Sequence, residues 1–237
     1  VQSNIVSIIA AKRTSSDLPN KNVLTLDSKP VVYHNIEAAV NCPEIDMVCV
    51  TSDSDEILGI AEKIDSKIQL VRRPVESASL SSDIALVVSQ AIRVIEEQGK
   101  DFDIILLLKG SIPLLNKHSL EDAIQCFLNS DCESLISVTN IGYALYKSFT
   151  LDKDGLLIPI FHSNFIHKNS QSLPIAYYSN GGISMCYKEV FLKNRSFVSN
   201  QTLPFFMEAR DCFDIDSQED LDLAEMILRD SKYMRPD

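Results

Sequence analysis

No stretch of this chain approaches the ~20 consecutive apolar residues that cross a bilayer. The opening VQSNIVSIIAAK also lacks the basic start and long apolar run of a secretory leader. A soluble, cytoplasmic protein with no membrane partner is therefore expected. Basic charge is in deficit too: 22 Lys and Arg stand against 33 Asp and Glu, a net charge of -11. Sequence-independent binding to nucleic acid needs a basic stripe that displaces counterions from many phosphates, so nucleic acid is not an expected partner. A small phosphorylated ligand needs only a local basic pocket, which an acidic surface allows. Paired cysteines are missing as well. Cys42, Cys49, Cys126, Cys132, Cys186 and Cys212 form no C-x-x-C, and no histidine completes a zinc-ligand spacing. Several sit in apolar runs such as MVCV and ISMCY, where cysteine behaves as a small hydrophobe, so free thiols in a reducing compartment are expected. His34, His118, His162 and His167 are scattered and build no Ser-His-Asp or Cys-His arrangement.

What is present is an alternation. Short, nearly all-apolar runs at 4–10, 46–52, 67–71, 103–109 and 134–139 read as strands covered on both faces. Amphipathic segments at 29–42, 54–64, 82–99 and 119–129 read as the helices between them, the last opening on Ser119 with Asp122 in a capping-box variant. This order predicts an α/β, Rossmann-like three-layer fold with a mostly parallel sheet, as one domain over residues 1–237. From 140 to 178 the pattern changes to hairpin spacing, with DKDG and NGG as turns, which predicts an excursion serving as a lid or a partner contact. The chain then returns with strands at 182–186, 203–208 and 212–215, a short helix near 187–193 and a closing helix at 217–230.

Ligands in such a sheet sit at the carboxyl ends of the strands. The loop after the first strand, KRTSSDLPNKN, places Lys12, Arg13, Ser15, Lys21 and Asn22 there, a composition suited to phosphate oxygens. A solvated loop with scattered cations is the plainer alternative. After the third strand come Arg72, Arg73, Ser81 and Ser82, and after the fourth Lys109 and Ser111. In CFDIDSQED, Asp214 and Asp216 are two apart and share a face if the segment is extended. Such a pair can hold Mg²⁺, or it can simply lead into a helix capped by Asp216 or Ser217.

In this order the segments resemble the acylneuraminate cytidylyltransferases, which make CMP-sialic acid and related CMP-nonulosonates. The family's I-P-A-R-G-G-S-K-x-x-P-x-K-N lies over IAAKRTSSDLPNKN, its STDSEEI over VTSDSDEI and its RPxELAxD over RPVESASL. Its LLQPTSPLR lies over LLKGSIPLL, its LP...Y..NGAI over LPIAYYSNGGI and its DIDT..D...AE over DIDSQEDLDLAE.

The resemblance implies transfer of CMP from CTP to the anomeric hydroxyl of a 2-keto acid sugar, with Mg²⁺ as cofactor and pyrophosphate as the leaving group. By position, Lys21, Asp214 and Asp216 would be catalytic, with the two aspartates as metal ligands. Lys12, Arg13, Ser15, Lys21, Asn22, Arg73, Ser82, Lys109 and Ser111 would meet the nucleotide. Gln171, Tyr177, Asn180 and Gly181 would face the sugar, and 140–178 would be the arm of a homodimer. The chain departs from the pattern at the two loop glycines, now Arg13 and Thr14, and at the base-reading glutamine, now Lys109. A lysine donates but does not accept, so it cannot reproduce an amide's paired contact. These departures leave a second expectation open: a noncatalytic or regulatory homologue, or a nucleotidyltransferase with another nucleotide or acceptor.

Overall fold

Strand β1 (Ile5–Ala10) shows why the core has two sides. Ile5 and Ile9 point into one apolar cluster while Val6 and Ile8 point into another, all at 2% exposure or less. Each fully buried side chain of this size contributes about 1.5–3 kcal/mol relative to exposure. The computed structural model of the chain describes residues 3–13, 18–74 and 83–230. After β1 come a small hairpin, β2 (Thr25–Leu26) and β3 (Lys29–Pro30), and helix α1 (Val31–Val40). Then follow β4 (Met47–Ser52), α2 (Asp55–Ile64), β5 (Gln69–Arg72), α3 (Ile84–Glu97), β6 (Ile104–Lys109) and α4 (Lys117–Leu128). The second half holds β7 (Ser134–Gly142), β8 (Phe149–Leu151), β9 (Leu157–Pro159), β10 (Ala176–Tyr187), α5 (Lys188–Asn194), β11 (Thr202–Phe206) and α6 (Gln218–Arg229).

Seven strands form one sheet in the order β11-β7-β10-β6-β1-β4-β5. All its pairings are parallel except the two made by β10, which runs antiparallel to β6 and to β7. Helices α1, α2 and α4 cover one face, and α3 with Phe191 of α5 covers the other. Helix α6 packs with the β2–β3 hairpin through Leu26, Leu221 and Ala224. The mostly parallel α/β sheet expected from the alternation is thus present. All six cysteines are free, and burial pushes the thiols of Cys42, Cys49 and Cys186 up to about 12. Among the described residues no helix is long and apolar enough to cross a membrane.

Four expectations need correction. Helix α4 is capped by Asn116, whose side chain accepts from Ser119 N–H at 3.0 Å, so Ser119 lies inside the first turn rather than at its start. Residues 212–215 are not a strand: the backbone N–H of Ile215 donates to Ser111 O at 2.9 Å instead of joining a ladder. The expected strand at 182–186 is the second half of β10, and β7 pairs with the first half, so the sheet extends three residues into each end of the predicted excursion. Within β10, Asn180, Gly181 and Gly182 form a bulge, not a hairpin turn. Asn180 Oδ1 accepts from Ser137 Oγ at 2.5 Å and from Gly182 N–H at 3.1 Å, replacing the ladder bonds that the bulge interrupts. The DKDG turn does join a hairpin, β8 to β9, with Asp152 Oδ1 accepting from Asp154 and Leu156 N–H.

Helix α6 starts in a complete capping box. Ser217 Oγ accepts from Asp220 N–H at 3.1 Å, and Asp220 Oδ2 accepts from the N–H groups of Ser217 at 2.8 Å and Asp216 at 3.1 Å. Burial works to raise the Asp220 carboxyl, but these bonds outweigh it and hold the group below its ordinary 3.8. Ser217→Ala should cost about 1 kcal/mol, lowering Tm by ~2–4 °C. Because the folded value is depressed, the wild-type advantage over Asp220→Asn should be complete above pH 3.8 and fade as pH falls through that lower value. Thermal denaturation of both variants between pH 2 and 7 checks this.

Candidate active site

Strands β1 and β6 end together, with Ala10 opposite Lys109, so the loops that follow them open on the same edge of the sheet. Their close approach depends on Gly110. A Cβ there would stand 2.8 Å from Ala11 Cβ and 2.9 Å from Asn22 Oδ1. Further along the first loop, Asn20 at φ 58 leads into the short turn Lys21–Val23. That turn sends the Lys21 side chain inward, where the residue is 6% exposed.

The Lys21 ammonium meets two carboxylates from the far end of the chain. Its Nζ donates to Asp216 Oδ1 at 2.6 Å and to Asp214 Oδ1 at 3.4 Å. Ser111 Oγ donates to the same Asp214 oxygen at 2.6 Å, and Lys109 Nζ lies 3.4 Å from Asp214 Oδ2. The Ile215 N–H to Ser111 O bond ties the carboxylate segment to the loop after β6. Two aspartates thus converge on one buried ammonium.

A second charged pair lies nearby. Arg73 is 6% exposed, donates through Nη2 to Ala11 O at 2.7 Å and lies 3.8 Å from Asp53 Oδ1. Asp53 Oδ1 also accepts from Arg13 N–H at 2.8 Å, which holds the backbone of the loop after β1. Burial lowers the Arg73 guanidinium from its ordinary value and Asp53 opposes that shift. Arg73 Nε and Asn22 Oδ1 are buried without a hydrogen-bond partner among the described residues, one donor and one acceptor. The Asn22 amide nitrogen is engaged by Lys12 O at 2.8 Å.

These groups border a cavity of about 620 Å³. Its lining includes charged residues, Lys12, Lys21, Lys109, Asp214 and Asp216, and apolar ones, Val87, Leu107, Phe191, Phe197 and Val198. The N-terminus of α3, at Asp83 to Ala85, adds a side wall.

Of the residues expected at the site, Lys12, Lys21, Asn22, Arg73, Lys109, Ser111, Gly181, Asp214 and Asp216 border this one cavity. Arg13 contributes its backbone to Asp53 while its side chain is exposed. Ser15 and Ser82 lie outside the described residues, as do Thr14 and Ser81. Gln171, Tyr177 and Asn180 are not on the cavity wall. Gln171 is exposed in a short turn at Ser170–Ser172. Tyr177 lies edge-on to Phe206 at 5.1 Å, and the Asn180 amide binds Ser137 and Thr139. Asp53, Asp83 and the wall from Arg195 to Val198 were not anticipated. Asp53 had a signal in its place at the carboxyl end of β4 inside TSDSDE; the distant wall had none.

A family model described as cytidylyltransferase matches residues 6–233. A pseudaminic acid cytidylyltransferase of Campylobacter jejuni is 28% identical over 94% of this chain and 95% of its own length. A CMP-N,N'-diacetyllegionaminic acid synthase of Legionella pneumophila is 26% identical over 94% of this chain and 96% of its own. An N-acylneuraminate cytidylyltransferase of Escherichia coli is 27% identical over 94% of this chain and 52% of its own length. Among solved structures, a CMP:2-keto-3-deoxy-manno-octonic acid synthetase complexed with CTP superposes with TM-score 0.67 at 17% identity, covering 95% of this chain and 98% of that one. That likeness establishes the shared fold.

The loop packing at Gly110 generates a prediction. Gly110→Ala should destabilise by about 1–3 kcal/mol through overpacking, because the atoms it meets include the fixed Ala11 Cβ. Gly59→Ala, in α2 with no neighbour within 4 Å, should stabilise by about 0.5–1 kcal/mol. Denaturant titration of the two variants should give opposite signs.

Proposed function

This chain belongs to the cytidylyltransferase family, and from that premise we propose that it transfers CMP from CTP to the anomeric hydroxyl of a sialic-acid-like 2-keto acid sugar. The carrying observation is the convergence of Asp214 and Asp216 on the buried Lys21 ammonium at the border of the cavity. In the reaction the sugar hydroxyl oxygen bonds to the α-phosphorus and gives up its proton to water. The bond from the α-phosphorus to the bridging oxygen breaks, and pyrophosphate leaves with that electron pair.

Lys12 and Lys21 face the triphosphate and offset its charge as it shifts toward pyrophosphate. Arg73 and Asn22 border the cavity and would meet the base. The apolar lining, with Phe191 and Phe197, suits acylated or deoxygenated parts of a nine-carbon sugar. The names of the bacterial relatives, which specify pseudaminic, N-acylneuraminic and legionaminic acids, support this acceptor class.

The donor set fits Mg²⁺, because hard carboxylate oxygens already converge on one cation, so Asp214 and Asp216 would hold the ion. Bound there, Mg²⁺ supplies positive charge against the phosphates.

Pyrophosphate release measured with CTP, UTP, ATP and GTP against pseudaminic, N-acetylneuraminic, legionaminic and octulosonic acids tests the reading. CTP with a nonulosonic acid should give turnover, and Asp214→Ala or Asp216→Ala should reduce it by about 100-fold or more. CTP binding with no turnover for any acid would instead favour a noncatalytic homologue.

We propose in addition that the chain pairs with a second copy through the segment between β7 and β10. Leu151, Leu156 and Leu157 are each 65% exposed there, next to exposed Ile158, Ile160 and Phe161. Apolar side chains this exposed and this close together mark an interaction surface. Sedimentation should show a dimer at micromolar concentration, and Leu151→Glu with Leu157→Glu should give monomer. A wild-type monomer at that concentration rules the pairing out.

A further inference from the structure

Lys109 does something that its place in the chain does not require. As the last residue of β6 its backbone is fixed by β1 and by Asn35, whose amide donates to Lys109 O at 2.5 Å. Its side chain is 48% exposed, so burial does not dictate where it points. Two features do. The alkyl chain lies across Gly181, where a Cβ would stand 2.5 Å from Nζ and 2.8 Å from Cε, so only a bare backbone admits it. Gly181 sits at φ 73 inside the β10 bulge, a conformation that favours glycine for its own reasons. The other feature is Asp214 Oδ2, 3.4 Å from the ammonium.

The result is a carboxylate engaged on both sides. Asp214 Oδ1 takes Lys21 and Ser111, and Oδ2 takes Lys109. A divalent ion at Asp214 needs the same oxygens and is repelled by a cation a few ångströms away. We propose that Lys109 is a built-in competitor for the divalent ion at Asp214, which keeps the ion's affinity low until the nucleotide triphosphate draws the ammonium away. The proposal rests on the reading of Asp214 and Asp216 as metal ligands. It makes ion and nucleotide binding mutually dependent: each favours the arrangement in which Lys109 has left Asp214, so each must strengthen the other by the same factor.

Mn²⁺ titration of the full chain, followed by electron paramagnetic resonance with and without CTP, tests this. Lys109→Met should bind Mn²⁺ alone about five- to tenfold more tightly than wild type, a change of about 1–1.4 kcal/mol. The same variant should bind metal-free CTP more weakly and show a smaller gain in Mn²⁺ affinity when CTP is added. A lysine whose role is only packing would produce no such opposed pair of changes. Gly181→Ala keeps the charge but displaces the ammonium, and it too should tighten Mn²⁺ binding in the absence of CTP. Equal or weaker Mn²⁺ binding by Lys109→Met overturns the proposal, as does the absence of Mn²⁺ binding in wild type and variant alike. If Asp214→Ala/Asp216→Ala retains the wild-type Mn²⁺ affinity, the metal-ligand reading falls and the competitor role with it. If that double variant loses Mn²⁺ while Lys109→Met matches wild type, only the competitor role fails.

Discussion

A buried ammonium must be paired, and the pairing of Lys21 organises the rest of the site. Lys21 is separated from Asp214 by 193 positions and from Asp216 by 195, so the contact closes the chain from its first loop to its last. Removing one partner of such a group leaves an uncompensated charge out of water, a loss of several kcal/mol in typical buried pairs. Here Asp216 is more than half exposed, so solvent screens part of that interaction and Asp214, at 26% exposure, is the more sheltered partner. The arrangement therefore depends on everything that brings Asp214 inward. That includes the Ser111 hydroxyl, the Ile215 to Ser111 backbone bond, and the bare Gly110 that lets the β6 loop lie against Asn22.

The strands of the first half were legible because a strand buried on both faces has to be apolar throughout, and β1, β4 and β6 have no other way to satisfy both clusters. The site was legible where it follows directly from strand order. Lys21, Asn22, Arg73, Lys109 and Ser111 all hang from carboxyl ends of parallel strands, where short-range sequence determines the address. Asn180-Gly181-Gly182 misled because a turn and a bulge call for the same residues. The choice between them rests on Ser137, 43 positions away, which supplies the hydroxyl that keeps the strand running. The carboxylate pair was found for a partly wrong reason. Its segment is not a strand, yet both aspartates reach the same ammonium because Ser111 and the α6 capping box fix the backbone on either side. The wall from Arg195 to Val198 gave no local signal, since only the return of the chain past β10 places it opposite α3.

The loop leaving β1 is held from outside: Asp53 accepts from the Arg13 N–H and pairs with Arg73, and Arg73 in turn binds Ala11 O. A charged brace from β4 and β5 thus steadies the segment leaving β1. The arrangement also places Arg73 with one donor, Nε, unused and buried beside the cavity.

The resemblance read from the sequence puts a glutamine at position 109, and a neutral amide there would leave the carboxylates facing Lys21 alone. Replacing it with lysine adds a full positive charge while removing an acceptor. The structure shows where that charge goes: not toward Arg73 and Asn22, where a base would be read, but across Gly181 to Asp214. Two lysines share the charge of the two carboxylates. The ammonium of Lys109 thus adds its charge at Asp214, the same carboxylate that Lys21 and Ser111 engage.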